Sequence, residues 1–234
     1  MPHYATLPPE IRTRFDVVRR TVRAGAFRWS ILSVRDSNRL VDAISPEQFA
    51  ADERFPYWAD LWASSLALAR VLREDRALAD QTVLELGCGL GLAGIAAAQA
   101  GARVLFSDYQ EDALTFARAN AGANLDRTAR ERISFRAIDW RTMTDPPGRF
   151  DLVIGADITY DRTDFPYLIA AIRNCLKDGA RALLAEPGRR VGEDFRDAAA
   201  QAGFTLSSRT VSFEYEGRER ASVVSELRLE ANLP

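Results

Sequence analysis

The sequence predicts a doubly wound α/β fold: a mainly parallel sheet of seven strands, helices on both faces, and a closing C-terminal antiparallel hairpin. A small N-terminal helix and β-hairpin precede it. Three observations carry this expectation. From Gln81 onward, short apolar runs alternate with segments of helical period, the pattern of a parallel sheet with crossover helices. The run FDLVIGA is apolar enough to be buried on both faces, as an interior parallel strand must be. The last two runs alternate apolar and polar residues around Glu216-Gly217-Arg218, a hairpin signal.

Taken in order, Pro9 to Arg23 sets Ile11, Phe15, Val18 and Val22 on one stripe, which predicts an amphipathic helix. Strands are expected at Arg28 to Val34 and Arg39 to Ile44, joined by the turn formers Asp36-Ser37-Asn38, with Trp29 covering the base of that hairpin. Pro46 to Phe55 is polar and linker-like, so residues 1–54 read as an extension and 55–234 as the main domain. A helix follows PYWADLW, from Ala63 to Glu74. Strands are then expected at Thr82 to Leu86, Arg103 to Ser107, Ile133 to Ile138, Phe150 to Ala156 and Ala180 to Ala185. The intervening helices are Leu92 to Gln99, Glu111 to Ala123, Phe165 to Leu176 and Gly192 to Ala202. Phe204 to Phe213 and Ala221 to Leu229 form the closing hairpin.

Composition narrows the function. A chain of 234 residues with 47% apolar and 27% charged residues fits one globular α/β domain. The net charge of −2 gives no reason to expect a nucleic-acid partner. Lys177 is the only lysine among 31 basic residues, which we read as compositional bias. Cys88 and Cys175 lie far apart without metal-ligand spacing, and His3 is the only histidine. That argues against a disulfide framework, a metal site and Ser-His-Asp chemistry. The N-terminal residues do not read as a signal peptide, and no apolar run approaches membrane-spanning length, so a cytoplasmic setting without membrane contact is expected.

The strongest chemical signal is VLELGCGLGLAGIAAAQAGARVLFSDY. A strand ends in Glu85, turns at Gly87-Cys88-Gly89 and enters a helix beyond Gly91. Glycines there let a ligand approach the backbone, and free helix amides favour a carboxylate or phosphate. The next strand ends in Asp108, at the distance where a carboxylate accepts ribose hydroxyls. Glycine spacing alone also fits a nicotinamide dinucleotide, or a tight turn with no ligand. Glu85 tilts the choice, since a carboxylate there suits an ammonium and repels a pyrophosphate.

The ELGCGLGLAG run, Asp108-Tyr109, Asp139-Trp140 and GADITYD together resemble the seven-strand, Rossmann-like class of S-adenosylmethionine-dependent methyltransferases. Within that class they resemble the methyltransferase-16 grouping of protein lysine methyltransferases. PYWADLW and EPGRR are most similar to the branch of the electron-transfer-flavoprotein β-subunit lysine methyltransferase, whose bacterial members are often labelled nicotinamide N-methyltransferases. The resemblance runs from about Phe55 to Gly203. It implies that Gly87, Cys88 and Gly89 line the methionine part of S-adenosylmethionine and that Asp108, beside Tyr109, holds the ribose. It also implies that Trp140 packs on the adenine with Asp139 near its amine, and that Trp62 and the Ala156 backbone complete the pocket. Asp157 and Tyr160 match the D-x-x-Y element beside the transferring methyl group. One departure is Ala63-Ser64-Ser65 after Trp62, where the branch tends to have proline and glycines.

Structural alternatives stand beside these roles. Trp58 is read equally as a core aromatic, Cys88 as a packed residue giving only its backbone, Cys175 as core and Tyr109 as packing. Asp157 is alternatively a cap on the following helix, and Arg189-Arg190 a solvated loop. The expected reaction is methyl transfer to an amine, most simply a lysine side chain of a partner protein, with S-adenosylhomocysteine as product. The alternative is a small-molecule N-methyltransferase with a nicotinamide-like or other amine acceptor. A base methyltransferase would carry prolines after the fourth strand, where Ile158 and Thr159 stand.

Overall fold

The computed structural model describes residues 7–42, 44–45, 55–144 and 149–229. The polar segment expected to act as a linker lies mostly outside them. The main sheet has seven strands: β3 (Thr82–Glu85), β4 (Arg103–Asp108), β5 (Ile133–Ala137), β6 (Phe150–Ala156), β7 (Leu176–Glu186), β8 (Phe204–Tyr215) and β9 (Arg218–Leu229). Their order is β5-β4-β3-β6-β7-β9-β8. The first five are parallel, and β9 runs antiparallel to both β7 and β8. The chain leaves β3 toward β4 on one side, and β6 lies on the other. Such a switch point opens a crevice at the carboxyl ends of the strands, where ligands bind in doubly wound sheets.

On one face, α3 (Ser64–Glu74), α4 (Leu92–Gln99) and α5 (Glu111–Asn124) bury Val83, Val104, Phe106, Leu152 and Ile154. On the other, α7 (Phe165–Cys175) and α8 (Arg190–Gln201) cover Leu84, Leu86, Val153 and Leu184. The short helix α6 (Arg127–Arg130) precedes β5. Residues Leu92 to Ala98 of α4 are nearly all enclosed around the whole helix. Its alanine-rich sequence suits that place, because small side chains let the sheet and α3 close in on opposite sides. Cys175 is fully buried, as its core reading expects.

The N-terminal region differs from the expectation. Only Pro9–Arg14 is helical (α1), and Val17–Ala24 is a strand (β1) paired with Phe27–Val34 (β2) through the two-residue turn at Gly25. The stripe Ile11, Phe15, Val18, Val22 fits a helix, but three valines and a threonine within six residues favour extended backbone. Asp36-Ser37-Asn38 does not join two strands. It leads into a short helix α2 (Asn38–Asp42), with the Ser37 carbonyl accepting the Leu40 N–H at 2.9 Å.

Trp29 is fully buried and donates its indole N–H to Gln99 Oε1 at 3.0 Å. The outer edge of β2 is met by side chains in place of another strand. Asn120 accepts the Leu32 N–H at 2.7 Å and donates to the Leu32 carbonyl at 3.0 Å. One turn on, Asn124 does the same for Ser30, at 2.8 and 2.9 Å. Two amides on one helix face thus copy the alternating bonds of a neighbouring strand, and the hairpin shares the core of the main sheet.

Candidate active site at the carboxyl edge of the sheet

The cleft forms where β3, β4 and β6 end. After Glu85 the chain turns sharply, with Cys88 donating its N–H to the Ser107 carbonyl at 2.8 Å and Gly91 donating to Cys88 at 2.7 Å. Gly87 has φ +60, and a Cβ there would stand 2.8 Å from Ile158 and 3.2 Å from the Trp140 ring. No side chain fits at that position without displacing the wall of the cleft.

Glu85 is almost fully buried and accepts the Gly94 N–H at 3.1 Å. Gly94 is required for this approach, since a Cβ there would lie 2.3 Å from the Glu85 carboxylate. Burial, opposed by the Gly94 bond and reinforced by nearby Asp108, pushes the Glu85 pKa up to about 8. A buried acid in that condition is a natural seat for a cationic group. Asp108 accepts N–H bonds from Gly89 at 2.9 Å and Gln110 at 3.0 Å, one on each oxygen. A carboxylate oxygen can accept more than one hydrogen bond, so a carboxylate at this place suits hydroxyl donors.

Trp62, Glu85, Gly87, Cys88, Gly89, Asp108, Tyr109, Trp140, Ala156, Asp157 and Tyr160 all line this one cleft. Asp139 is not among the lining residues; its carboxylate accepts the Arg141 N–H at 2.9 Å. The Cys88 thiol has its pKa raised by burial and by neighbouring Asp108 and Glu85, so it is no nucleophile and its backbone shapes the loop. Trp140 is buried, and its indole N–H has no hydrogen-bond partner among the described residues. Trp58 packs edge-on to Phe15 at 5.6 Å and tilted against Phe116 at 5.2 Å, and it also lines the cleft.

Asp157 follows β6 with φ +56, a conformation uncommon outside glycine, and donates its N–H to the Ala185 carbonyl at 2.8 Å. It does not cap the helix that follows. Asp161 serves that turn, accepting the Thr163 N–H at 2.9 Å. The charged and polar surroundings of Asp157 include Ser64, the first residue of α3, with Arg189 and Glu186. Burial raises its pKa; hydrogen bonds from Ser64 and the charge of Arg189 oppose that rise, while Glu186 adds to it.

Beside the cleft, Tyr57, Trp62, Asp157, Tyr160 and Arg189 enclose a second chamber of about 260 Å³. Tyr57 stands edge-on to Tyr160 at 5.3 Å and to Trp62 at 5.8 Å. The Trp62 indole donates to the Tyr57 carbonyl at 2.7 Å, and the Arg189 guanidinium lies 5.9 Å from the Trp62 ring centre. Burial pushes the Tyr160 phenol pKa up, which keeps its hydroxyl neutral. Sequence reasoning did not single out Tyr57, Ile158 or Ser64. The aromatic spacing in PYWADLW was a usable signal for Tyr57; Ser64 was marked only as part of the Ala63-Ser64-Ser65 departure after Trp62.

Sheet order, reversed last hairpin and cleft position define a class, the Rossmann-like methyltransferase fold. A family model described as lysine methyltransferase matches residues 56–197, and the chain belongs to that family. It is 36% identical over 112 residues to protein N-lysine methyltransferase METTL21A of Xenopus tropicalis, covering 47% of this chain and 52% of that protein. It is 31% identical over 137 residues to the electron transfer flavoprotein beta subunit lysine methyltransferase of Rattus norvegicus, covering 57% and 51%. The chain therefore spans about half the length of the curated relatives it matches. Among solved structures, magnesium protoporphyrin IX methyltransferase of Synechocystis PCC 6803, with bound SAH, superposes with a TM-score of 0.55 at 20% identity. That likeness, over 82% of this chain and 100% of the other, is one of fold.

Proposed function

We propose that the protein transfers a methyl group from S-adenosylmethionine to a lysine side chain of a partner protein. The donor fits the cleft on chemical grounds. Glu85 offers a buried carboxyl for an ammonium, Asp108 has acceptor capacity for ribose hydroxyls, and the Gly87 turn brings bare backbone to the ligand. Trp140 supplies a flat apolar wall for a base. Bound S-adenosylmethionine supplies an electrophilic methyl group carried on a sulfonium.

The chain's own residues then prepare the acceptor. A lysine ammonium has a pKa near 10.4 in water and must lose a proton before its nitrogen attacks. Tyr57, Trp62 and Tyr160 wall the chamber, and an amine seated among their rings would be partly desolvated, which favours its neutral form. Asp157 would orient that amine and take its proton, directly or through one water. Holding the two reactants in line supplies much of the acceleration.

The observation that carries the protein acceptor is the mouth of the chamber. Tyr57 and Tyr160, at its rim, are 39% and 36% exposed, so a long side chain projecting from a folded surface has access. No described residue before Phe55 lines the cleft or the chamber, so the N-terminal hairpin is a neighbour and not a lid. We place the reaction in the cytoplasm, in keeping with two buried free thiols at Cys88 and Cys175. No helix among the described residues is long and apolar enough to cross a membrane.

The test is incubation of the protein and labelled S-adenosylmethionine with a cell extract. Label is expected in one or a few protein bands, with methyllysine in their hydrolysate. The Asp157→Asn variant should lower incorporation about tenfold or more. Label confined to dialysable material would assign a small amine as the acceptor instead.

A further inference from the structure

We propose that Arg189 is a specificity-determining residue of the acceptor chamber: its guanidinium receives a carboxylate that the partner protein carries beside the target lysine. The inference rests on the acceptor site proposed above and names the chemistry around that lysine.

Arg189 stands in the turn after β7 and lines the chamber with Tyr57, Trp62, Asp157 and Tyr160. This turn is built around a buried acid. Glu186, 6% exposed, accepts the Gly188 N–H at 2.6 Å and the Arg189 N–H at 3.0 Å on one oxygen. Its other oxygen accepts from Arg196 of α8 at 2.8 Å. Gly192 keeps the space for that carboxylate, since a Cβ there would lie 2.5 Å from the Glu186 carboxyl carbon. The backbone that carries Arg189 is therefore held in place. The Trp62 ring, 5.9 Å from the guanidinium at its centre, gives the side chain a face to lie over.

The charge so placed is left open. Arg162 and Arg196, close by in the chain, form ion pairs with Asp194 and Glu186. Arg189 is exposed, and no described carboxylate forms an ion pair with it; Asp157 feels its charge without pairing. Asp157 attracts the ammonium of every lysine alike, so it cannot discriminate between partners. Arg189 can, because an entering ammonium brings a second positive charge to the rim and is repelled. A carboxylate beside the lysine offsets that repulsion and takes the fork of N–H donors that a guanidinium presents. A partner without one meets the repulsion only, so a single residue admits one class of lysine and turns others away. A phosphate fits the same fork, but its second charge would face Asp157 and Glu186, so a carboxylate suits this rim better.

The experiment is the extract assay with mass spectrometry to locate each methyllysine, followed by kinetics on the purified partner. Each located lysine should have an Asp or Glu side chain within about 8 Å, the reach of a charge at physiological salt. Arg189→Glu should lower kcat/KM on that partner about tenfold or more, through KM, with S-adenosylhomocysteine affinity unchanged. Changing the partner's neighbouring acid to lysine should slow the wild type and speed Arg189→Glu, a charge-swap rescue that a merely structural role would not produce. Phosphatase treatment of the extract should leave labelling unchanged. A wild-type rate in Arg189→Glu, no rescue by the swap, or label lost with phosphate overturns the inference alone. Label confined to dialysable material would overturn the protein acceptor, and this inference with it.

Discussion

At the scale of single residues, the cleft is a set of groups held in states they would not choose in water. Glu85 is the clearest case, with its pKa raised to about 8 chiefly by burial. An acid whose folded value exceeds its unfolded value opposes folding once ionised. Its contribution is fully present below the unfolded value and is lost as the pH rises from there through about 8. Glu85→Gln should therefore flatten the fall in stability between pH 5 and 8, read by urea unfolding. An ammonium-bearing ligand prefers the ionised form, so S-adenosylhomocysteine affinity should rise from pH 6 to 8 in wild type and change little in the variant. Parallel slopes for the two proteins would show that Glu85 does not titrate in this range.

Sequence legibility at this scale followed backbone proximity. Glu85, the glycines and Asp108 were readable because short strands and tight turns fix their mutual placement. The proximity of Ser64 to Asp157 was not, because it brings together residues 93 positions apart through a helix start and a left-handed turn. Asp139 precedes Trp140, which lines the cleft, and its own carboxylate accepts the Arg141 N–H of the same loop.

At the scale of elements, helix α5 is the joint between the hairpin and the catalytic half. Asn120 is fully buried and also donates to the Leu90 carbonyl at 3.0 Å, so one side chain serves both β2 and the glycine loop. Asn120→Ala would strand the Leu32 N–H and two carbonyls away from water, at a cost of about 2–4 kcal/mol. Urea unfolding should show that loss, and a change under about 0.5 kcal/mol would mean that the hairpin edge is satisfied in another way. The same region is where the elements were least legible. Ile11, Phe15, Val18 and Val22 satisfy a helical period and the β-branched run satisfies a strand. The β-branched run prevailed in Val17–Ala24, which pairs with β2, and β2 in turn has its other edge met by Asn120 and Asn124, about ninety residues further along. From β3 to β9 no such rivalry arose, and the expected strands and helices differ from the observed ones mainly at their ends, as with β7 beginning at Leu176.

At the scale of the molecule, the sheet places the cleft proposed for the donor and the chamber proposed for the acceptor side by side, with Trp62, Asp157 and Tyr160 lining both. Everything proposed for the chamber depends on the cleft holding S-adenosylmethionine rather than a dinucleotide. The most direct measurement is isothermal titration of S-adenosylhomocysteine and of a nicotinamide dinucleotide into the wild type and Asp108→Ala. The account predicts binding of the first ligand by the wild type and a loss of about 1.5–3 kcal/mol in the variant, where two hydroxyls lose their acceptor. Unchanged affinity in Asp108→Ala, or tight binding of the dinucleotide by the wild type, would contradict it.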